Sequence, residues 1–278
     1  MKKTVELFLL DGNSNGRMIC TLSNWDGICL KIPKTKVKIS DDRKELRNSG
    51  VYILFSSIDS ESRAYIGEAE NVQQRLKQHL VGKDFWNECL VFTRKDNSLN
   101  KAHIKYLEKI LHESAKNVNR SKLDNKCTPS KCRLSESETS SIETYATNVK
   151  MLTNILGYKL FEKLIEREYG IEEYYYIKSI GLEAKGILTN EGFVVLKGSD
   201  SNMCFKKASS VFLKKNWERL REDRIINKEN KFVRDYLFSS PSRAAAMILG
   251  RNANGLTEWK NKGKKTLKEV LLELEEDK

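Results

Sequence analysis

Two tripeptides, Gly50-Val51-Tyr52 and Tyr65-Ile66-Gly67, mirror one another across the polar stretch Ser56-Ser57-Ile58-Asp59-Ser60-Glu61-Ser62. Val51, Ile53 and Phe55 alternate with Tyr52 and Leu54, the period of a half-buried strand with Tyr52 opposite the main apolar face. Ala64-Tyr65-Ile66 repeats the pattern beyond a serine-rich turn that can return the chain antiparallel. Such a hairpin brings both tyrosines into one cleft. Aromatic residues are favoured in strands for packing alone, so the hairpin by itself leaves packing and function both open.

The residues that follow add chemistry. Glu70-Asn71 can cap a helix running through Val72, Leu76 and Leu80, one apolar stripe at i, i+4, i+8, with Arg75 and His79 one turn apart on its flank. A second helix begins near Asn100, and Ile104, Leu107, Leu111, Ala115 and Val118 define its buried face. At about 100° per residue Glu108 falls inside this apolar arc. A carboxylate placed there costs several kcal/mol unless compensated. The compensation is either a structural ion pair with a nearby Lys or Arg, or a metal ion.

Tyr52, Tyr65, Arg75 and Glu108, in this order, resemble the GIY-YIG nucleases over roughly residues 46 to 128, less than a third of the chain. Arg75 stands ten residues after Tyr65, a separation similar to that in the family, and Arg75-x-x-x-His79 resembles some restriction-enzyme members. Val51 replaces the usual Ile. The resemblance implies a hairpin carrying both tyrosines, an arginine on the first helix, a glutamate holding one divalent cation and an asparagine beyond it. Asn125 is the candidate for that last position, and Asn119 competes with it.

The implied activity is metal-dependent endonucleolytic hydrolysis of phosphodiester bonds in DNA. A diester anion repels nucleophiles, so the site must neutralise its oxygens and activate water. One Mg²⁺ or Mn²⁺ on Glu108, completed by waters and phosphate oxygens, suits the first task. Arg75 would clamp the phosphate with its planar fork. The family implies that Tyr52 is the general base or water orienter; its phenol would need its pKa lowered by the cation and Arg75. Tyr65 would position water or phosphate, and His79 would either assist proton transfer or contact the backbone. The competing functions are a nucleic-acid-binding scaffold that does not cut and a nuclease acting on RNA.

Composition is compatible with this. The net charge of +12 attracts polyphosphate, and 32% charged with 39% hydrophobic residues describes a soluble globular chain. No apolar run reaches membrane-spanning length, and the segment after Met1-Lys2-Lys3 is too short and too soon acidic for a signal peptide, so no membrane partner and a cytoplasmic location are expected. Cys20, Cys29, Cys89, Cys127, Cys132 and Cys204 are scattered, and no second Cys or His pair closes a zinc site around Cys127 and Cys132. Reduced structural thiols are expected.

The expected fold class is α+β: a small catalytic domain with a short antiparallel sheet flanked by helices, a helical connector and a second mixed α/β domain. Residues 1–45 read as an N-terminal hairpin, Val5 to Leu10 returning through Met18 to Leu22, that extends or covers the nuclease sheet. Residues 46–128 form the nuclease domain. Residues 129–183 form a polar linker around Pro129 and a helix through Ile142, Tyr145, Val149, Leu152 and Leu156 that joins the halves. The run Glu173 to Ile177 reads as packed tyrosines at a strand or helix end.

Residues 184–278 form the second domain. It has a buried strand from Gly192, a basic helix from Ser210 to Arg224, and a Pro241-initiated helix ending at Gly250. The stretch from 184 to 270 resembles a C-terminal domain of uncharacterised role found behind some GIY-YIG domains, and modules attached to restriction enzymes and adenine methylases. That resemblance implies DNA targeting, for which Lys214, Lys215 and Arg219 are the candidate contacts.

Overall fold

The computed structural model describes residues 2–56, 62–125, 133–165, 173–202 and 211–276. The chain divides into two compact units, Met1–Lys163 and Leu164–Lys278.

The first unit is built on a seven-stranded sheet in the order β1-β2-β3-β6-β4-β5-β7. Strands β1 (Val5–Leu9) and β2 (Met18–Leu22) form the expected N-terminal hairpin, and β3 (Gly27–Pro33) joins it to the sheet. β4 (Gly50–Ser56) and β5 (Arg63–Ala69) carry the two tripeptides and pair antiparallel. They are followed by α1 (Val72–Gly82), β6 (Glu88–Arg94), α2 (Lys101–Val118), the two-residue β7 (Lys122–Leu123) and α3 (Glu136–Ile155). Both flanking helices start where side chains can satisfy free amides: Asn71 accepts from the Gln74 N–H at 3.0 Å, and Asn100 forms a capping box with His103.

β4 is buried on both faces, unlike the half-buried strand expected from its alternation. Val51, Ile53 and Phe55 face one core with Ile104, Leu107 and Leu111 of α2 and Ile142, Tyr145, Val149 and Leu152 of α3. Tyr52 and Leu54 face a second core with Val72 and Leu76 of α1, Trp86 and Val37. A central strand between two helical layers has no solvent face.

The N-terminal strands and α3 do not form separate segments. β3 pairs with β6 along its whole length, from Gly27 opposite Arg94 to Pro33 opposite Glu88. The expected connector helix instead docks on the sheet, and the Tyr145 hydroxyl donates to the Thr93 carbonyl at 2.8 Å. Each fully buried large apolar side chain contributes roughly 1.5–3 kcal/mol. The buried row Ile142, Tyr145, Val149 and Leu152 therefore holds α3 in this core.

The second unit has a four-stranded sheet, β11-β10-β9-β8, with β8 (Tyr174–Ser179), β9 (Leu182–Thr189), β10 (Gly192–Val195) and β11 (Tyr236–Phe238). Its helices are α4 (Val211–Glu222), α5 (Pro241–Leu249), α6 (Gly255–Glu258) and α7 (Leu267–Glu276). The tyrosine run is thus a strand of this sheet, with Tyr175 in the core, and the unit begins before residue 184. α5 starts on a Ser240 cap with Pro at its first turn and stops at Gly250 in the left-handed region (φ +65°). Asn254 caps α6, its side chain accepting from the Leu256 N–H.

Among the described residues no helix is long and apolar enough to cross a membrane. Cys20, Cys29 and Cys89 are free and buried, and burial pushes their thiols up, Cys20 to about 11. Cys127, Cys132, Cys204 and Pro129 lie outside the described residues.

Candidate active site

The register of the hairpin sets the site. Tyr52 pairs with Gly67 and Leu54 with Tyr65, so both tyrosines project from the same face of the sheet. Their ring centroids are 6.2 Å apart, and each lies 5.4 Å from the imidazole of His79 on α1. The two glycines of the tripeptides are fixed by close approach. A Cβ on Gly67 would stand 2.4 Å from the Tyr52 hydroxyl oxygen, and one on Gly50 would stand 2.4 Å from the Phe92 carbonyl oxygen.

Tyr52 is fully buried. Its hydroxyl lies 2.8 Å from His79 Nε2 and accepts from Arg75 Nε at 3.3 Å. The direction of the contact with Nε2 follows the imidazole tautomer: with the ring hydrogen on Nδ1, the phenol donates to Nε2. Burial lowers the His79 pKa to about 4, and the Arg75 and Lys83 charges push in the same direction. Burial drives the Tyr52 phenol well above its ordinary range, and the Tyr65 phenol adds to this. Arg75 opposes the shift without overcoming it. Arg75 thus acts in the expected direction, but by itself lowers the phenol less than burial raises it.

Glu108 comes from α2, on the opposite side of the sheet, and is half-buried. Among the described residues its carboxylate has neither an ion pair nor a hydrogen bond. Its pKa is raised to about 7, first by burial and then by Glu68, while Arg75 and Lys105 pull it down. Glu68 follows Gly67 in β5 and pairs with Val51, which puts it on the α2 face; its pKa is also raised by burial. Arg75 acts on both sides, as donor to Tyr52 and as a cation toward Glu108 and Glu68.

An unpaired carboxylate beside a second one, with Arg75 and Lys105 acting on it, offers the hard oxygen donors that Mg²⁺ or Mn²⁺ takes. Among the described residues no group of three or more His, Cys, Asp or Glu side chains is placed to hold a metal ion. An ion here would rely on one or two carboxylates, waters and substrate oxygens, the usual manner of Mg²⁺.

Asn125 is anchored to β5. Its amide accepts from the Ile66 N–H at 3.1 Å and donates to the Ile66 carbonyl at 2.7 Å. Main-chain pairing of β7 with β5 ends with the Asp124 N–H on the Ala64 carbonyl at 2.8 Å, and the Asn125 side chain extends it by one more residue. Asn125 thus holds the backbone between Tyr65 and Gly67. Asn119, its competitor, is the left-handed C-cap of α2 (φ +54°).

Two residues escaped the sequence reading. Lys83 Nζ sits 4.2 Å from the centre of the Tyr65 ring and pairs with Asp124 at 2.6 Å. Its spacing of four residues after His79 and eight after Arg75 was the available signal, although Lys83 is the extended C-cap of α1 and not part of its helical face. Glu68 was signalled only by strand alternation, which assigns it to the α2 face once α2 is known to pack there.

Residues 48–117 match a family model described as the GIY-YIG catalytic domain. Residues 175–271 match one described as a domain of unknown function (DUF4357). No curated protein and no solved structure gives a significant match. The chain therefore carries a nuclease-type GIY-YIG catalytic domain and, C-terminal to it, a DUF4357 domain.

Proposed function

We propose that the chain is a metal-dependent endonuclease that hydrolyses phosphodiester bonds in DNA, with one Mg²⁺ or Mn²⁺ held by Glu108. The observation that supports this most is Arg75, which donates to Tyr52 while its charge acts on the unpaired Glu108. A packed structural core needs none of these groups, and an unpaired half-buried carboxylate costs stability.

The cation would supply charge neutralisation at a non-bridging oxygen and at the leaving oxygen. Arg75 exchanges its long 3.3 Å contact with Tyr52 for the incoming phosphate, which is the stronger, charge-assisted partner. This opens the Tyr52 hydroxyl to a water molecule. As the water oxygen attacks phosphorus, its proton passes to the Tyr52 oxygen while the Tyr52 hydrogen passes to His79 Nε2, and the bond to the leaving oxygen breaks. The high pKa of Tyr52 then matters little, because the phenol relays a proton and never stands as a phenolate. Lys83 and Tyr65 line the phosphate's approach, and Asn125 keeps the Tyr65–Gly67 backbone in register.

One observation favours a scaffold that does not cut: Tyr52 is fully enclosed. Cleavage of supercoiled plasmid, branched DNA and structured RNA with Mg²⁺ or Mn²⁺ separates the readings, with Glu108→Ala and Arg75→Ala as controls. Nicking that survives Glu108→Ala removes the cation site. Binding of DNA without cleavage of any substrate in either metal establishes the scaffold.

A further inference from the structure

The second unit holds an open pocket of about 670 Å³ that the proposed reaction does not use. It forms where two chain segments part. Tyr176 and Lys260 exchange backbone hydrogen bonds at 2.7 and 3.0 Å, and beyond them the edge of β8 at Lys178 faces the pocket. The opposite wall is the turn from Lys260 to Lys264, with Arg251 beside it.

That turn is fixed from within. The Asn261 N–H donates to the Lys265 carbonyl at 2.9 Å, its side chain accepts from the Lys265 N–H at 3.0 Å, and its amide nitrogen donates to Glu173 at 2.6 Å. Lys178 and Arg251 are paired, with Glu183 at 2.9 Å and Glu258 at 2.7 Å. Lys260, Lys262 and Lys264 have no ion pair among the described residues. A preorganised turn thus presents three cations outside any ion pair at the mouth, Lys260 with Glu269 as an electrostatic partner. Tyr176 lines the same pocket, with Lys178 Nζ 5.9 Å from its ring centre and its hydroxyl without a hydrogen-bond partner among the described residues. On α4, by contrast, Lys214 pairs with Glu218 at 3.9 Å and Arg219 with Asp223 at 3.8 Å within the helix. Two of the four cations of α4 are thus paired, while Lys215 and Arg221 lie outside these pairs and the helix stays basic.

We propose that this pocket binds single-stranded nucleic acid, the Lys260–Lys264 turn holding phosphodiester oxygens and Tyr176 stacking on a base. The volume lies in the range of small-ligand pockets, which accommodates a nucleotide and not a duplex. Unpaired lysines beside an aromatic ring are the combination that single strands use, every base having a face to stack, whereas polyglutamate supplies charge without an aromatic face. The inference shares with the nuclease reading only the class of polymer bound.

The test is fluorescence anisotropy of the full chain in chelator, so that no cleavage is needed, with a labelled single-stranded DNA oligonucleotide, the matching duplex, and polyglutamate as competitor. The triple variant Lys260→Ala, Lys262→Ala, Lys264→Ala is expected to weaken single-strand binding about tenfold. It should also reduce the dependence of log affinity on log salt by about 2, as loss of three phosphate contacts requires. Tyr176→Ala is expected to weaken binding severalfold at unchanged salt slope, and Tyr176→Phe to restore it. The triple Lys214→Ala, Lys215→Ala, Arg219→Ala should change affinity less than twofold. Unchanged affinity in the pocket variant, loss carried by the α4 variant, tighter binding of duplex, or equal competition by polyglutamate would each overturn the proposal. A chain that binds through the pocket but never cuts refutes only the nuclease reading.

Discussion

The Tyr52 hydroxyl and His79 Nε2 lie 2.8 Å apart in a buried pair, with Arg75 donating to the same phenolic oxygen. In the proposed reaction His79 is the proton acceptor in its Nδ1–H tautomer, its basicity raised from the low buried value by the negative charge of the arriving phosphate. His79→Phe, which keeps the packing but removes Nε2, is expected to lower the cleavage rate by about 10²-fold, within the range for loss of a general base. Unchanged single-turnover rates in this variant would remove His79 from the chemistry.

His79 and Glu108 set opposing pH dependences of stability. His79 titrates near 4 in the folded chain against an ordinary 6.5, so the unfolded chain binds more protons between those values and stability rises with pH. Glu108 titrates near 7 against 4.5, so the folded chain binds more protons and stability falls with pH through that window. Each shift corresponds to roughly 3 kcal/mol at most. Denaturant unfolding of the metal-free chain should therefore be nearly flat with pH between about 4.5 and 6.5, where the two slopes cancel. Glu108→Gln is expected to expose the rise, and His79→Phe the fall.

Glu108→Gln also separates a cation ligand from a structural ion pair. It should stabilise the metal-free chain at pH 8 by about 1–3 kcal/mol, since a carboxylate buried without a partner is removed, and should abolish Mg²⁺-dependent cleavage. Destabilisation by the substitution would mean that the carboxylate is paired. In the unsubstituted chain, cation affinity should rise from pH 6 to 8 as Glu108 ionises, measured by titration calorimetry.

Gly67→Ala places a methyl 2.4 Å from the Tyr52 hydroxyl oxygen. A loss of about 1–3 kcal/mol is expected from overpacking, with cleavage falling because Tyr52 is displaced from His79. Gly82→Ala, at the end of α1 with nothing within 4 Å of the added carbon, is the control and should be neutral or slightly stabilising. Thermal unfolding of both variants checks the pair.

Asn125→Ala removes the two hydrogen bonds to Ile66, each worth roughly 0.5–1.5 kcal/mol. Cleavage should fall about tenfold through the rate constant, with DNA affinity and cation affinity unchanged. A loss confined to DNA affinity would instead place the amide on the substrate.

What the sequence determined by itself was local. Alternation in 50–56 and 63–69, the Asn71 and Asn100 caps, and Pro241 with Gly250 gave β4, β5, α1, α2 and α5, because caps, turns and periodicity act over a few residues, whereas β3, β6, β7 and β9 carried no such signal. Glu108 stood out for a local reason too, as a charge inside an apolar helical arc. Tertiary structure decided the rest. Whether Tyr52 faced solvent depended on α1 and Trp86 covering its side of the sheet, and that burial, not proximity to Arg75, fixed the protonation of the phenol. Asn125 could not be assigned from its position, because its partner Ile66 lies far away along the chain and was brought close only by β7 pairing with β5. The α3 segment read as a connector because its polar flanks resemble a linker, yet its apolar row had no destination until the sheet supplied one. Desolvation, register and long-range pairing are properties of the assembled chain, and they decided which of the residues named by sequence could touch one another.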